Sequence, residues 1–273
     1  GSLPEKNDHD PYYLKAQFIE DLEEEELYRY RSLKRKSDPG LLAPHYLKTA
    51  EIRRSFSRRE FPVTELSRLM ELERRKGLTP KTGEKGIKLP TILVDKLLKE
   101  KGIENDFGVL THFLISKKLR GASLSMSEPD WLKFNIPEVI QKQCLESAVT
   151  LCNNFFSSEL GLLALKADHL ETEFPFLYLW KGKSGPRYIS GQIDLLFEIQ
   201  GRAYIIDFKT DRMYRPGEYM AQLWLYSLAA QELVCRSNTI SSYLFLLRSA
   251  RPVPLKNGID WEKTLAGTPI FGK

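Results

Sequence analysis

Two runs of alternating apolar and polar residues, Arg187 to Ile199 and Arg202 to Thr210, meet at Gln200-Gly201, and this hairpin constrains the fold more than any other segment. A turn at that dipeptide sets Ile199 opposite Arg202, and the same register carried back along both strands sets Asp194 opposite Asp207. Alternation assigns Gln192, Asp194, Leu196 and Glu198 to one face together with Ala203, Ile205, Asp207 and Lys209. Ile193, Leu195, Phe197, Ile199, Tyr204, Ile206 and Phe208 take the other, which reads as the core face. Directly opposed residues have Cβ atoms about 4.5–5.5 Å apart, and like charges set there destabilise the pair. A hard divalent cation such as Mg²⁺ neutralises such a pair and keeps waters that a phosphate can displace. Lys209, on the same face, can then stabilise a pentavalent phosphorane or help deprotonate an attacking water. Taken alone, the same residues fit equally a solvated acidic pair with Lys209 as a salt-bridge partner.

Around the hairpin the periodicity is mostly helical. Tyr13, Phe18, Leu22, Leu27, Tyr30 and Leu33 predict a helix over 11–36 that ends at Asp38-Pro39-Gly40 and reads as a docking arm, and a second helix follows Pro44. A third begins near Thr64, with Leu66, Leu69, Met70 and Leu72 ahead of Arg74-Arg75-Lys76. Residues 77–90 are rich in Gly, Pro and Lys, as in a surface loop with a protease-sensitive tip. Val109, Leu110, Phe113 and Leu114 mark an amphipathic helix over 106–119 with His112 beside its apolar stripe, and helix continues over 136–165. A strand over 170–180 makes the hairpin a three-stranded meander; a helix over about 217–234 and a final strand over 242–247 follow. The organisation expected is a charged helical extension or linker over 1–60 and one domain over 61–273.

Composition narrows the function classes. With 273 residues, 42% hydrophobic and 28% charged, the chain is neither disordered nor collagen-like, and it has no apolar run of membrane-spanning length. Its start lacks an apolar signal core, which predicts a cytosolic protein, and Gly1-Ser2 reads as a cloning scar on a piece of something longer. Cys144, Cys152 and Cys235 have no CxxC spacing, so they read as reduced core thiols rather than a zinc knuckle or a four-Cys cluster. The net charge of +5 concentrates in Arg53, Arg54, Arg58, Arg59, Arg74, Arg75, Lys76, Lys81, Lys85 and Lys88, which on composition alone reads first as a solvated face and second as a site for a polyanionic partner. Neither Gly83-Glu84-Lys85 nor Gly182-Lys183-Ser184 sits in a phosphate-loop frame, so the chain is not expected to hydrolyse ATP.

Gln222 and Tyr226, four residues apart, share one face of the next helix. Gly191-Gln192-Ile193-Asp194, then Asp207-Phe208-Lys209, then Gln222 and Tyr226 resemble the ordered motifs of the RecB-like branch of the PD-(D/E)XK nucleases. Gly108 to His112 is similar to that branch's G-x-x-x-H helix, and Glu173-Phe174-Pro175-Phe176 to its E-x-P-F strand. Val63-Thr64-Glu65-Leu66 resembles the opening of the nuclease domain in AddA-type helicase–nucleases, with Pro62 in place of the usual Ser. The resemblance runs from about Phe61 to about Leu247. It implies an α/β, restriction-endonuclease-like core with a mixed central sheet flanked by helices. It also implies a Mg²⁺-dependent deoxyribonuclease, with Mn²⁺ able to substitute, acting as an exonuclease with scope for endonucleolytic cuts. His112, Asp194, Asp207 and the Phe208 carbonyl would hold the metal, Lys209 would be the catalytic cation, Gln222 and Tyr226 would orient groups in the site, and Glu173 would support it. The implied partners are single- or double-stranded DNA ends, a helicase portion of the same full-length chain and a second, AddB/RecC-like subunit, with a role in double-strand-break repair and recombination and no membrane. Two other readings stay open: a non-catalytic nuclease-fold module that binds DNA or a partner, and a free-standing phage-like exonuclease. Inactive modules usually lose the carboxylates or the lysine, and Asp194, Asp207 and Lys209 are all present.

Overall fold

The computed structural model describes residues 60–273 except 77–85, 183–184, 216, 234–238, 257 and 272–273. The helices expected over 11–36 and after Pro44, the tip of the 77–90 loop and Cys235 lie outside the described residues. Cys144 and Cys152 are buried free thiols, as expected.

The meander forms as the alternation predicts. Strands β3 (His169–Gly182), β4 (Gly185–Ile199) and β5 (Arg202–Lys209) run antiparallel in series, with Ile199 paired to Arg202 and Leu195 to Ile206. A short β1 (Glu60–Pro62) lies parallel to Tyr188–Ser190 of β4. Strand β4 therefore changes partner along its length: β5 holds its end and β1 its middle, and Asp194 sits where the two diverge. Strand β7 (Ile240–Leu246) joins β5 in parallel after helix α7 (Met220–Leu233). It is not the last strand, because β8 (Arg251–Pro254) adds antiparallel to it after a 3₁₀ turn and a left-handed Ala250. The result is a mixed sheet in the order β1, β4, β5, β7, β8, with β3 on β4. Two residues of the expected 77–90 loop, Ile87–Lys88, form β2, which pairs with β6 (Met213–Tyr214).

Helices cover both faces. Helices α1 (Val63–Lys76), α7 and α8 (Trp261–Ala266) pack one face against Ile193, Leu196, Ile205, Leu244 and Leu246. Helices α2 (Asp95–Lys101), α3 (Glu104–Leu119), α5 (Glu138–Phe156) and α6 (Glu159–Ala164) pack the other against Leu195, Phe197, Ile206, Phe208 and Phe245, with a short α4 (Glu128–Trp131) between α3 and α5. The hairpin face assigned from its carboxylates is thus core as well: Leu196, Ala203 and Ile205 are buried. The helix expected over 136–165 breaks after Phe156, where Ser158 caps α6 by accepting from the Gly161 N–H. A Cβ on Gly161 would collide with the Phe155 carbonyl, so the turn depends on that glycine. Val109, read as an apolar-face residue, points outward, and α3 buries Phe107, Leu110, Leu114 and Ile115. None of the described helices is long and apolar enough to cross a membrane.

One departure shapes the site. Ile193 packs on the α1/α7 side while Leu195, of the same parity, packs on the α3/α5 side. Strict alternation has failed between them, at Asp194. Opposite, Glu173 has φ 54°, and the Glu173–Asp194 position is the one gap in a β3–β4 ladder that otherwise runs from His169–Glu198 to Gly182–Gly185. A left-handed non-glycine residue costs about 1–3 kcal/mol. Here it re-aims two acidic side chains at the divergence of the sheet.

Candidate active site

Each site residue is placed by an element with its own reason to be there. Asp194, just beyond the last paired residue of the β4–β5 ladder, accepts a hydrogen bond at Oδ2 from the Phe208 N–H at 2.8 Å, so its side chain bridges the strands where backbone pairing stops. His112 arrives from α3, and its Nδ1 lies 3.5 Å from Asp194 Oδ2. Gly108, one turn earlier, lets α3 approach the end of β5: a Cβ there would lie 3.2 Å from Thr210 Oγ1. The imidazole meets the Phe208 ring edge-on, with centroids 5.8 Å apart. Gly191 is required by close packing, since a Cβ would come within 2.8 Å of the Phe176 ring and 2.9 Å of Val63. Its neighbour Gln192 donates to Glu173 Oε2.

On the other side of the divergence, Asp207 is 2% exposed. Gln222 Nε2 donates to Asp207 Oδ1 at 3.3 Å and to the Tyr226 hydroxyl at 2.8 Å, so the pair four apart on α7 forms a brace behind the carboxylate. Lys209 Nζ stands 2.8 Å from Asp207 Oδ2 as an ion pair, yet that buried oxygen has no hydrogen bond of proper geometry. The Lys209 ammonium also sits 4.4 Å from the centre of the Tyr219 ring, whose hydroxyl donates to Asp211.

The fields of these groups push the two aspartates apart. Burial raises the Asp194 carboxyl, but His112, Lys209 and the Phe208 N–H outweigh it and hold the group below its ordinary range. Burial dominates at Asp207 and, with the charge of Asp194 acting in the same direction against Lys209, pushes it up to about 6. Burial would depress His112, but the facing Asp194 raises it on balance. Lys209 is likewise raised, because Asp207 and Asp194 outweigh the cost of burying it. Glu173 is raised by burial and then by Asp194.

His112, Asp194, Asp207, Phe208, Lys209, Gln222 and Tyr226 are brought together as the hairpin arithmetic and the motif order anticipate. The grouping differs in one respect. One ligand atom each from His112, Glu173 and Asp194 lies within 4.8 Å of the others, while Asp207 falls outside that set and faces Lys209 and Gln222. Glu173, read from sequence as a supporting residue, stands among the potential ligands because its backbone is left-handed. The carboxylate oxygens suit Mg²⁺ or Mn²⁺ with the imidazole as one further ligand, and Asp207 Oδ2, paired with Lys209 but without a hydrogen bond, keeps acceptor capacity to spare. Tyr219 does not stand out in the sequence; it lies in the turn just before α7, three residues ahead of Gln222.

Comparison with known proteins places these residues in a family context. Residues 94–261 match the family model described as "PD-(D/E)XK nuclease superfamily". The chain is 33% identical over 105 residues to an ATP-dependent helicase/nuclease component of Bacillus pumilus, a match covering 30% of this chain and 8% of that protein. It is 28% identical over 161 residues to the protein of the same description from Anoxybacillus flavithermus, covering 54% of this chain and 13% of that protein. The match thus spans only a small part of these relatives' length. A solved chain described as "Crystal structure of SSO0001" aligns with 17% identity and a TM-score of 0.29 over 58% of this chain and 83% of that one, a likeness too loose to carry an argument.

Proposed function

The chain belongs to the PD-(D/E)XK nuclease superfamily, and on that premise we propose that it is a divalent-metal-dependent deoxyribonuclease that hydrolyses phosphodiester bonds. The observation that carries this reading is the meeting of Asp194, Asp207 and Lys209 at the divergence of β4 and β5, with a buried Asp207 oxygen that lacks a hydrogen bond.

His112, Asp194, Asp207 and the Phe208 carbonyl would hold Mg²⁺ or Mn²⁺, with Glu173 close enough to join them. A cation bound there would neutralise the carboxylates, acidify a water and draw charge from a phosphate oxygen. The protein's own groups do the rest. Lys209 brings a fixed ammonium to the negative charge that grows on the phosphate as the water attacks. Gln222 holds Asp207 through one N–H, and Tyr226 holds Gln222, so the carboxylate is fixed before substrate arrives. Tyr219 lies against the ammonium and limits where Lys209 can swing.

The finer reading is that the chain is the nuclease part of an AddA-like helicase–nuclease, working on DNA ends in break repair and recombination in the cytoplasm. On this view a helicase portion feeds it single- or double-stranded ends, a second protein of AddB/RecC type assists, residues 61–273 are the nuclease body and 1–60 a charged extension or linker. Similarity to proteins described as helicase/nuclease components supports it. The test is digestion of linear single- and double-stranded DNA in Mg²⁺ by the 273-residue chain beside Asp207→Ala. Degradation abolished by EDTA and by the substitution supports the proposal. Equal activity in the two proteins, or none in either with no Mg²⁺ or Mn²⁺ bound in calorimetry, overturns it in favour of a binding module.

A further inference from the structure

A groove of about 340 Å³ runs between α1 and the start of α7 and is lined by two residues that contact Asp207 and Lys209. Gln222 of α7, which donates to Asp207, and Tyr219 in the turn just before that helix, which lies against Lys209, form one wall. Its α1 wall carries Arg68 and Arg75. Thr64, Arg68, Leu72 and Arg75 succeed one another at steps of four, four and three, so they make one stripe of the helix, opposite the buried Val63, Leu66 and Met70.

The charges along the groove are unequal in their freedom. Glu71 is paired with Arg74 at 2.9 Å and Glu218 with Arg215 at 3.6 Å. Arg68 and Arg75 are exposed, and among the described residues no ion pair engages either. Seven residues of helix set them about 10 Å apart along the axis. That separation matches about three stacked nucleotides at roughly 3.4 Å each. The volume lies at the low end of the roughly 300–1,000 Å³ of small-ligand sites, which suits one strand lying along the open groove and not a duplex.

We propose that this groove is the track on which a single DNA strand reaches Asp207 and Lys209, held through its phosphates by Arg68 and Arg75. The assignment rests on the nuclease reading for what happens at the end of the track, but the binding itself does not require cleavage. Contacts to phosphate alone make the grip indifferent to sequence and sensitive to salt.

The experiment measures anisotropy of a 5′-fluorescein oligothymidylate in EDTA, across a salt series, with the wild-type chain, Arg68→Ala/Arg75→Ala and Arg68→Lys/Arg75→Lys. The alanine pair is expected to weaken binding roughly tenfold or more near 0.1 M salt and to flatten the log–log salt slope by about 1.4, the share of two phosphate contacts on a single strand. The lysine pair is expected to restore most of the slope. An unchanged slope in the alanine pair, or no binding of the single strand by wild type, overturns the track. The nuclease reading fails separately: a wild-type protein that binds the strand with this slope but cuts nothing in Mg²⁺ leaves the track standing, and one that cuts while the alanine pair binds and cuts normally removes the track alone.

Discussion

At the residue scale the site is built around a conflict, a buried Asp207 paired with Lys209 beside a half-buried Asp194 paired with His112. Asp207 carries the cost, since its carboxyl is pushed from 3.8 to about 6. A group whose acid form is favoured by folding contributes stability at low pH and loses it as pH rises through the folded value. The penalty therefore develops between about pH 4 and pH 6 and reaches on the order of 2–3 kcal/mol in the metal-free protein at neutral pH. Asp207→Asn keeps the shape and removes the charge. In EDTA at pH 7.5 it is expected to melt several degrees above wild type, while the two converge near pH 4. A variant that melts below wild type at pH 7.5 would mean that the ion pair with Lys209 outweighs the burial of Asp207. Function maintained at such a cost is the usual trade of an active site.

At the element scale the positions of α3 and α7 decide whether those residues meet. A second buried pair fixes the frame on the α3 side: Arg248, after β7, donates to both oxygens of Asp95 at 2.9 and 2.7 Å, and its Nε donates to the Thr210 carbonyl just past Lys209. Burial would raise Asp95, but Arg248 holds it below its ordinary range, so its contribution is present above that range and lost as acid protonates it. Asp95→Ala leaves the guanidinium unpaired and is expected to cost about 3–5 kcal/mol in urea unfolding at pH 7, with the difference shrinking towards pH 3. A loss below about 1 kcal/mol would show that water replaces the carboxylate at no cost. Much of this scale is legible in the sequence. The register of β4 and β5 follows from the turn at Gln200-Gly201, and the facing of Gln222 and Tyr226 from their spacing of four. What is not legible has physical causes. Alternation presumes an unbroken pleat, and the left-handed Glu173 breaks it, which moves Ile193 to the other core and Glu173 into the ligand cluster. A sheet buried on both faces also erases the polar side that alternation seeks, so Leu196 and Ile205 look exposed in the sequence when they are core. The break after Phe156 and the strand β8 rest on short capping and pairing contacts that helical or strand periodicity does not record.

At the largest scale, among the described residues, two helical layers clamp a mixed sheet, and the α1–α7 groove reaches the Gln222 that holds Asp207. The matched relatives are many times longer than the shared region, so the proposed motor and partner protein lie outside that region, and the site must be judged by its own chemistry. The central claim is that Lys209 acts on the phosphate and is not merely the counter-ion of Asp207. The most direct measurement is the single-turnover cleavage rate of Lys209→Ala on linear DNA at Mn²⁺ concentrations that calorimetry shows to saturate both it and wild type. The account predicts undiminished metal binding with cleavage slowed by roughly 10²–10³, the loss typical of removing one preorganised charge from a transition state. Cleavage at the wild-type rate with the lysine gone would contradict it.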